Sequence, residues 1–239
     1  LRRHGIGCEG AMKLRTKFNL AILVVFALLA AVITVATISY VETNAIREAE
    51  ARVKTYTKAA WEIHNSKVEK ILSASEILAH VPTVKDLLKD PDNEPLSAAA
   101  RTELEAIRQG HNTDILNLLA PDGTVLLRTR APYNTGDSLA ADPMVRQVIQ
   151  TRERVAGNTL LDPERLGLES PELLERSREI APESRGMLAG AAMPVFEDGE
   201  LIGIVQMGSL LNGNVEIVDR IRDAVFENEV HAGKPVGTA

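Results

Sequence analysis

An α+β domain held outside a membrane by one apolar helix is the fold class this sequence predicts, and three observations predict it. The stretch Phe18 to Val41 contains no charged residue. As a helix it spans about 36 Å, enough to cross a hydrocarbon core of about 30 Å with some tilt. A helical pattern follows from Thr43 to about His80, with no proline before Pro82. Further on, two pairs of apolar, β-rich segments are each split by an Asp-Gly step, Asp122-Gly123 and Asp198-Gly199. Such steps supply the left-handed residues of hairpin turns. Antiparallel hairpins with a long helix across one face make an α+β layer architecture.

The apolar stretch has an orientation. Arg2, Arg3, Lys13, Arg15 and Lys17 precede it, whereas Glu42, Glu48 and Glu50 follow it with Arg47. The positive-inside bias places residues 1–17 in the cytoplasm and everything after Val41 outside. Tyr40 stands where an interfacial aromatic anchor is expected. A cleaved signal peptide is the competing reading, but its apolar region runs to about 7–15 residues and ends at a small-residue cleavage site. This stretch is longer and runs into a helical pattern, so it reads as an uncleaved transmembrane helix over 18–41.

Composition narrows the outer part. The 239 residues include 27 basic and 33 acidic side chains, of which five and one precede Phe18; 22 and 32 remain beyond Val41, a net charge of −10 there. That balance argues against a nucleic-acid partner and against a domain lying on anionic lipid. Cys8 is the one cysteine. It excludes an internal disulfide, a CxxC or zinc spacing and covalently attached haem, and a cysteine-free outer domain suits a periplasm. Cys8 has no apolar region before it, so a lipoprotein reading is not favoured. Met12-Lys13-Leu14-Arg15 reads as a natural start, with residues 1–11 as an upstream extension. Val236 to Ala239 reads as a strand just beginning.

From Thr43 to His80, Ile46, Ala49, Val53, Tyr56, Ala60 and Ile63 recur at three and four spacings. The seam then shifts through His64, Val68, Ile71, Ser75 and Leu78 like a stutter. The early part fits a dimer stalk and the later part fits packing on a sheet; a helix packed on its own domain throughout is the alternative. Trp61 is expected under the domain or at the dimer seam. Thr83 to Lys89 reads as a short helix and Ser97 to Gln109 as another, with Ser97 as cap. Thr113 to Ala120 and Thr124 to Arg130 read as a hairpin. Asp142-Pro143 opens a helix to about Thr151, with Asp as cap and Pro in the first turn. Val155 to Leu161 reads as a strand. Ser170-Pro171 opens a polar helix to about Ile180, a surface lid or excursion. Met187 to Phe196 and Glu200 to Leu210 form the second hairpin. Its glycines Gly190, Gly203 and Gly208 permit close approach of a backbone or ligand. Asn212 or Asn214 caps a last helix from Val215 to about Asn228, with Val218, Ile221, Val225 and Phe226 inward.

Two segments resemble a known family. LLAPDGTVLLRTRAPYNTGDSLAADPMV, with its strand–Asp-Gly–strand–Arg run, Gly136-Asp137 and Asp142-Pro143, resembles the Cache superfamily of extracytoplasmic bacterial sensors. AAMPVFEDGELIGIVQMGSLLNGNVEIVDRIRDAVF resembles the single-Cache type of sensor histidine kinases and chemoreceptors, through Leu210-Leu211-Asn212, Asn214 and Glu216 to Ile221. The resemblance covers roughly residues 42–239. It implies a PAS-like antiparallel sheet with a long N-terminal helix, incomplete at the C-terminus, followed in family members by further strands, a second membrane helix and an output domain. The organisation expected is 1–17 basic N-terminus, 18–41 transmembrane helix, 42–80 signalling or stalk helix and 81–239 sensor domain.

Candidate chemistry gathers after the first hairpin. Arg128 and Arg130 are two apart, so on a strand they face the same way. Either can hold a carboxylate with two parallel hydrogen bonds. Tyr133 can donate a hydroxyl and Asp137 can answer an amino group. Gly190, Ala192, Met193, Gln206 and Met207 are candidates for small or flexible lining. Plainer readings stand beside these: surface ion pairs for the arginines, core filling for the methionines, a helix-face role for His64 and a loop role for His111. No Walker A, GxSxG, HExxH or kinase motif occurs, so no catalytic residue, metal or cofactor is expected. The expectation is a single-pass inner-membrane sensor, homodimeric through its long helix, that binds a small and in one version carboxylate-bearing molecule. The alternatives are a tethered binding or assembly module without output, and a tethered hydrolase with a non-local site.

Overall fold

The computed structural model describes residues 14–179, 185–226, 230–231 and 234–235. The segment 1–13 with Cys8, the end of the helix expected to reach Ile180, and the strand expected over 236–239 lie outside them. Helix α1 runs Leu14–Leu78. The chain divides into two compact units between Thr57 and Lys58.

In the first unit every side chain from Phe18 to Val41 is exposed, and the helix is long and apolar enough to cross a membrane. Thr34 and Thr37 return their hydroxyls to the Ala30 and Ile33 carbonyls, both at 2.8 Å. Backbone bonding of this kind hides the hydroxyl on an otherwise apolar surface.

The second unit is built on five antiparallel strands: β1 Ile115–Leu119, β2 Val125–Arg128, β3 Val155–Leu161, β4 Gly186–Glu197 and β5 Glu200–Leu210. Their order is β2-β1-β5-β4-β3. Both expected hairpins form, and β1 pairs with β5 to join them. Asp198 and Gly199 take positive φ at the β4–β5 turn, as a tight hairpin demands. Gly203 marks a close approach: a Cβ there would lie 2.7 Å from the Leu119 carbonyl oxygen and nearer still to Leu88.

One face of the sheet is covered by the end of α1, α2 (Pro82–Lys89) and α3 (Glu94–Gly110). Ile71, Ala74 and Leu78 of α1 join Val84, Leu87 and Leu104 against Leu116, Leu118, Leu127, Val205 and Met207. Each fully buried leucine contributes about 1.5–3 kcal/mol. Burial on α1 begins in earnest at Ile71, where the shifted seam predicts sheet packing. The cap of α3 is Asn93, which accepts from Leu96 N, and the helix starts before the expected Ser97. Trp61 is exposed and tilted against His64.

The opposite face is also covered. Helix α4 (Pro143–Thr151) is capped by Asp142, as expected, and buries Met144, Val145 and Val148. Two short helices follow β3: α5 Pro163–Glu169 and α6 Pro171–Arg178. The first lacks an apolar periodicity legible in sequence, but it buries Leu166, and α6 buries Leu173. Helix α7 spans Val215–Phe226. Asn214 is its cap, accepting from Ile217 N at 3.1 Å, while Asn212 accepts from Met187 N at 2.6 Å. Val218, expected inward, is exposed. A two-stranded pair, β6 Val230–His231 and β7 Lys234–Pro235, follows.

Candidate functional site

Strand register brings a polar row into the sheet. Arg128 pairs with Asn117, Asn117 with Gln206, and Gln206 with Ala192. Because side chains alternate between faces, this row lies on the face covered by α4, α5 and α6. Asn117, Arg128 and Gln206 are all fully buried. Buried polar groups persist when they are bonded: Asn117 donates to Gln206 at 3.3 Å, and Asn117 and Arg128 both donate to Glu169.

Arg128 is the centre. Its guanidinium holds Asp137 through two hydrogen bonds at 2.6 and 2.8 Å and donates to the Asn134 carbonyl at 2.7 Å. Its Nε lies 3.2 Å from Glu169 Oε2. Burial would lower the Arg128 pKa, but the Asp137 and Glu169 carboxylates hold it above the ordinary value. The same bond from Arg128 holds the Asp137 carboxyl below the usual range against the opposing effect of burial. Glu169 also accepts from Asn117 Nδ2 at 3.0 Å and from Arg165 Nε at 2.9 Å. Arg165 donates to Gln206 Oε1 at 3.1 Å. Asp142 uses Oδ1 to cap α4 and turns Oδ2 toward Gln206 and Arg165.

A cavity of about 420 Å³ opens beside this network, walled by Asp137, Leu139, Asp142, Leu160, Arg165 and Leu168 among others. That volume suits a small molecule. A cleft of about 530 Å³ lies between α1, the end of α3 and α7. There Lys67 already donates to the Asn112 carbonyl at 2.7 Å, and burial lowers its pKa against the pull of Glu216 and Asp114. Among the described residues no buried polar row backs that cleft, so the smaller cavity is the better candidate.

The expected site residues separate into three groups. Arg128 and Asp137 come together, bonded to each other. Arg130 lies past the end of β2 and pairs with Glu172 and, at 3.8 Å, Asp114; Tyr133 is exposed, with the Arg101 guanidinium 4.7 Å over its ring. Met193 and Met207 sit in the core covered by α1, α2 and α3, on the other face from Arg128. They follow Ala192 and Gln206 directly, and neighbours in a strand cannot share a face; grouping them with the arginines is corrected by that alternation. Asn117, Asp142, Arg165 and Glu169 were not candidates by sequence. An asparagine inside the strand ILNLL was a usable signal; Glu169 and Arg165 offered none.

The architecture is that of a Cache-like sensor domain: an antiparallel sheet with a long N-terminal helix on one face and a ligand-sized cavity on the other. Residues 46–225 match the family described as the double sensory domain of two-component sensor kinases. The chain belongs to that family, which bears out the Cache-superfamily resemblance and corrects the expected single-Cache type to the double one. Among solved structures, the sensor domain of the histidine kinase DctB from V. cholerae superposes with a TM-score of 0.51 at 14% identity, over 73% of this chain and 58% of that one. The sensor domain of DcuS from E. coli gives 0.46 at 13% identity, over 68% and 99%. The ligand-binding domain of the Campylobacter jejuni chemoreceptor Tlp3, in complex with L-norvaline, gives 0.47 at 11%, over 72% and 59%. The chain spans less than two thirds of the DctB structure. A comparison with characterised protein sequences finds no match.

Proposed function

We propose that this chain is the extracytoplasmic, ligand-sensing part of a membrane-anchored two-component receptor, and that its small-molecule ligand binds in the cavity beside Arg128, Asp137 and Asp142. The observation that carries the reading is the buried polar row Arg128–Asn117–Gln206 with a ligand-sized cavity against it. An all-apolar face would pack as well, so the row's polar groups favour recognition over stability.

The apolar stretch 18–41 anchors the chain in the inner membrane, with the sheet domain outside. The exposed Ile46, Val53 and Trp61 favour pairing of two long helices. The sheet lies between the cavity and the end of α1. A ligand that binds one packing of α4 and α5 more tightly than another shifts that equilibrium. The sheet then moves against Ile71, Ala74 and Leu78, and α1 carries a small displacement toward the membrane.

The test is a thermal-unfolding screen of small metabolites on the full chain in detergent, repeated on Leu168→Trp, which fills the cavity. Stabilising compounds should lose their effect in that variant while its unliganded melting stays close to the native one. Compounds that stabilise both proteins equally would place binding elsewhere and overturn the site.

A further inference from the structure

We propose that Arg165 is a built-in occupant of this pocket, a tethered cation that a positively charged small molecule displaces. The proposal rests on the sensory reading above and adds the ligand's chemical class: a primary amine or guanidine.

The seat comes first. The Arg165 guanidinium reaches Glu169 Oε1 at 2.9 Å, Gln206 Oε1 at 3.1 Å and Asp142 Oδ2 at 3.9 Å. These acceptors come from α5, β5 and the cap of α4. The Asp142 and Glu169 side chains are each only 3% exposed. A seat of two buried carboxylates and an amide oxygen recognises a cation with several N–H donors.

The charge balance comes second. Arg128 is matched by Asp137 and Glu169 and is 1% exposed, so it is closed to exchange. Arg165 stands on the cavity wall and keeps 14% exposure. That wall also carries Asp137, Asp142, Asp162 and Glu164, with no other cation among the described residues lining it; Asp137 is paired with Arg128 and Asp162 with Arg185, 3.6 Å away. A carboxylate entering there meets like charge, whereas an amine or guanidine meets the groups that now hold Arg165.

The consequence comes third. Arg165 sits in the first turn of the seven-residue α5, which also carries Leu166 in the core and Glu169 against Arg128. Displacing its guanidinium removes a clamp between α5 and β5. Ligand binding and α5 packing therefore compete for one set of acceptors, which supplies the differential affinity a two-state sensor needs.

The experiment uses the full chain in detergent at low ionic strength, as native protein and as Arg165→Ala. Probes are ethylguanidine, agmatine and, as the carboxylate control, succinate, followed by calorimetry and thermal unfolding. Ethylguanidine at millimolar concentration should raise the melting temperature of Arg165→Ala and leave the native protein unmoved. Agmatine should bind Arg165→Ala about tenfold more tightly than native, since its competitor is gone. Adding Asp142→Asn, which keeps the Oδ1 acceptor capping α4, should abolish that gain. If Arg165→Ala does not fold, Arg165→Gln, uncharged and long enough to span the seat, takes its place. Equal responses of variant and native protein to both guanidines overturn the proposal. So does succinate binding that is lost in Arg165→Ala, which would make Arg165 a carboxylate-binding arm and leave the sensory reading intact. Failure of that reading shows separately, as probe binding that Leu168→Trp does not affect.

Discussion

The two faces of the one sheet are built on opposite principles. Against α1, α2 and α3 the sheet presents Leu116, Leu118, Leu127, Val205 and Met207, an apolar surface closed by leucines. Against α4 and α5, one residue away along the same strands, it presents Asn117, Arg128 and Gln206. The first face maximises the apolar area removed from water. The second keeps buried charge that is stable only while every partner is in place. Stability and recognition are thus divided between the two sides of a single layer, separated by the period of a strand.

That contrast can be broken most severely on the polar side. Arg128→Met takes the cation from Asp137 and one of the two cations from buried Glu169 and should cost about 3–5 kcal/mol, read by urea unfolding. Adding Glu169→Gln should recover part of the loss, because paired partners are not additive. If the single variant is as stable as native, the row is not energetically coupled. On the apolar side, Leu118→Ala should cost about 2–5 kcal/mol without a recoverable partner, since packing has no counter-charge to remove. A second-site rescue there would blur the distinction.

The smallest expected effect is acid sensitivity. The folded Asp137 pKa is depressed by Arg128, so its contribution is present above the unfolded value of about 3.9 and is lost as the pH falls through the folded one. Denaturation midpoints should therefore drop below about pH 4, and Asp137→Asn should flatten that slope. Leu118→Ala should shift the whole curve down and leave its slope unchanged. An unaltered slope in Asp137→Asn would remove Asp137 from the acid response.

Much of the fold was legible because it is written in local pattern. The hairpins announce themselves by Asp-Gly steps between β-branched runs, and Asp142-Pro143 by the chemistry of a helix cap; both stand where expected. Helix α5 was not legible: seven residues carry too little periodicity to separate from a loop, and Leu166 acquires its partners only through the sheet. The site was half legible. Arg128 and Asp137 share a short stretch of chain, whereas Glu169 lies 41 residues from Arg128 and Gln206 lies 89 from Asn117.

By itself the sequence determined an apolar helix of membrane length, a long helix after it, two hairpins and an acidic balance beyond residue 41, because hydropathy, turn chemistry and charge are properties of neighbouring residues. Tertiary structure alone decided which strand lies beside which. Through that order it decided that two arginines, an asparagine, a glutamine and three carboxylates share one buried face while two methionines are turned away from it. Register across β2, β1 and β5 is a long-range choice set by how both faces pack, and no local window contains it.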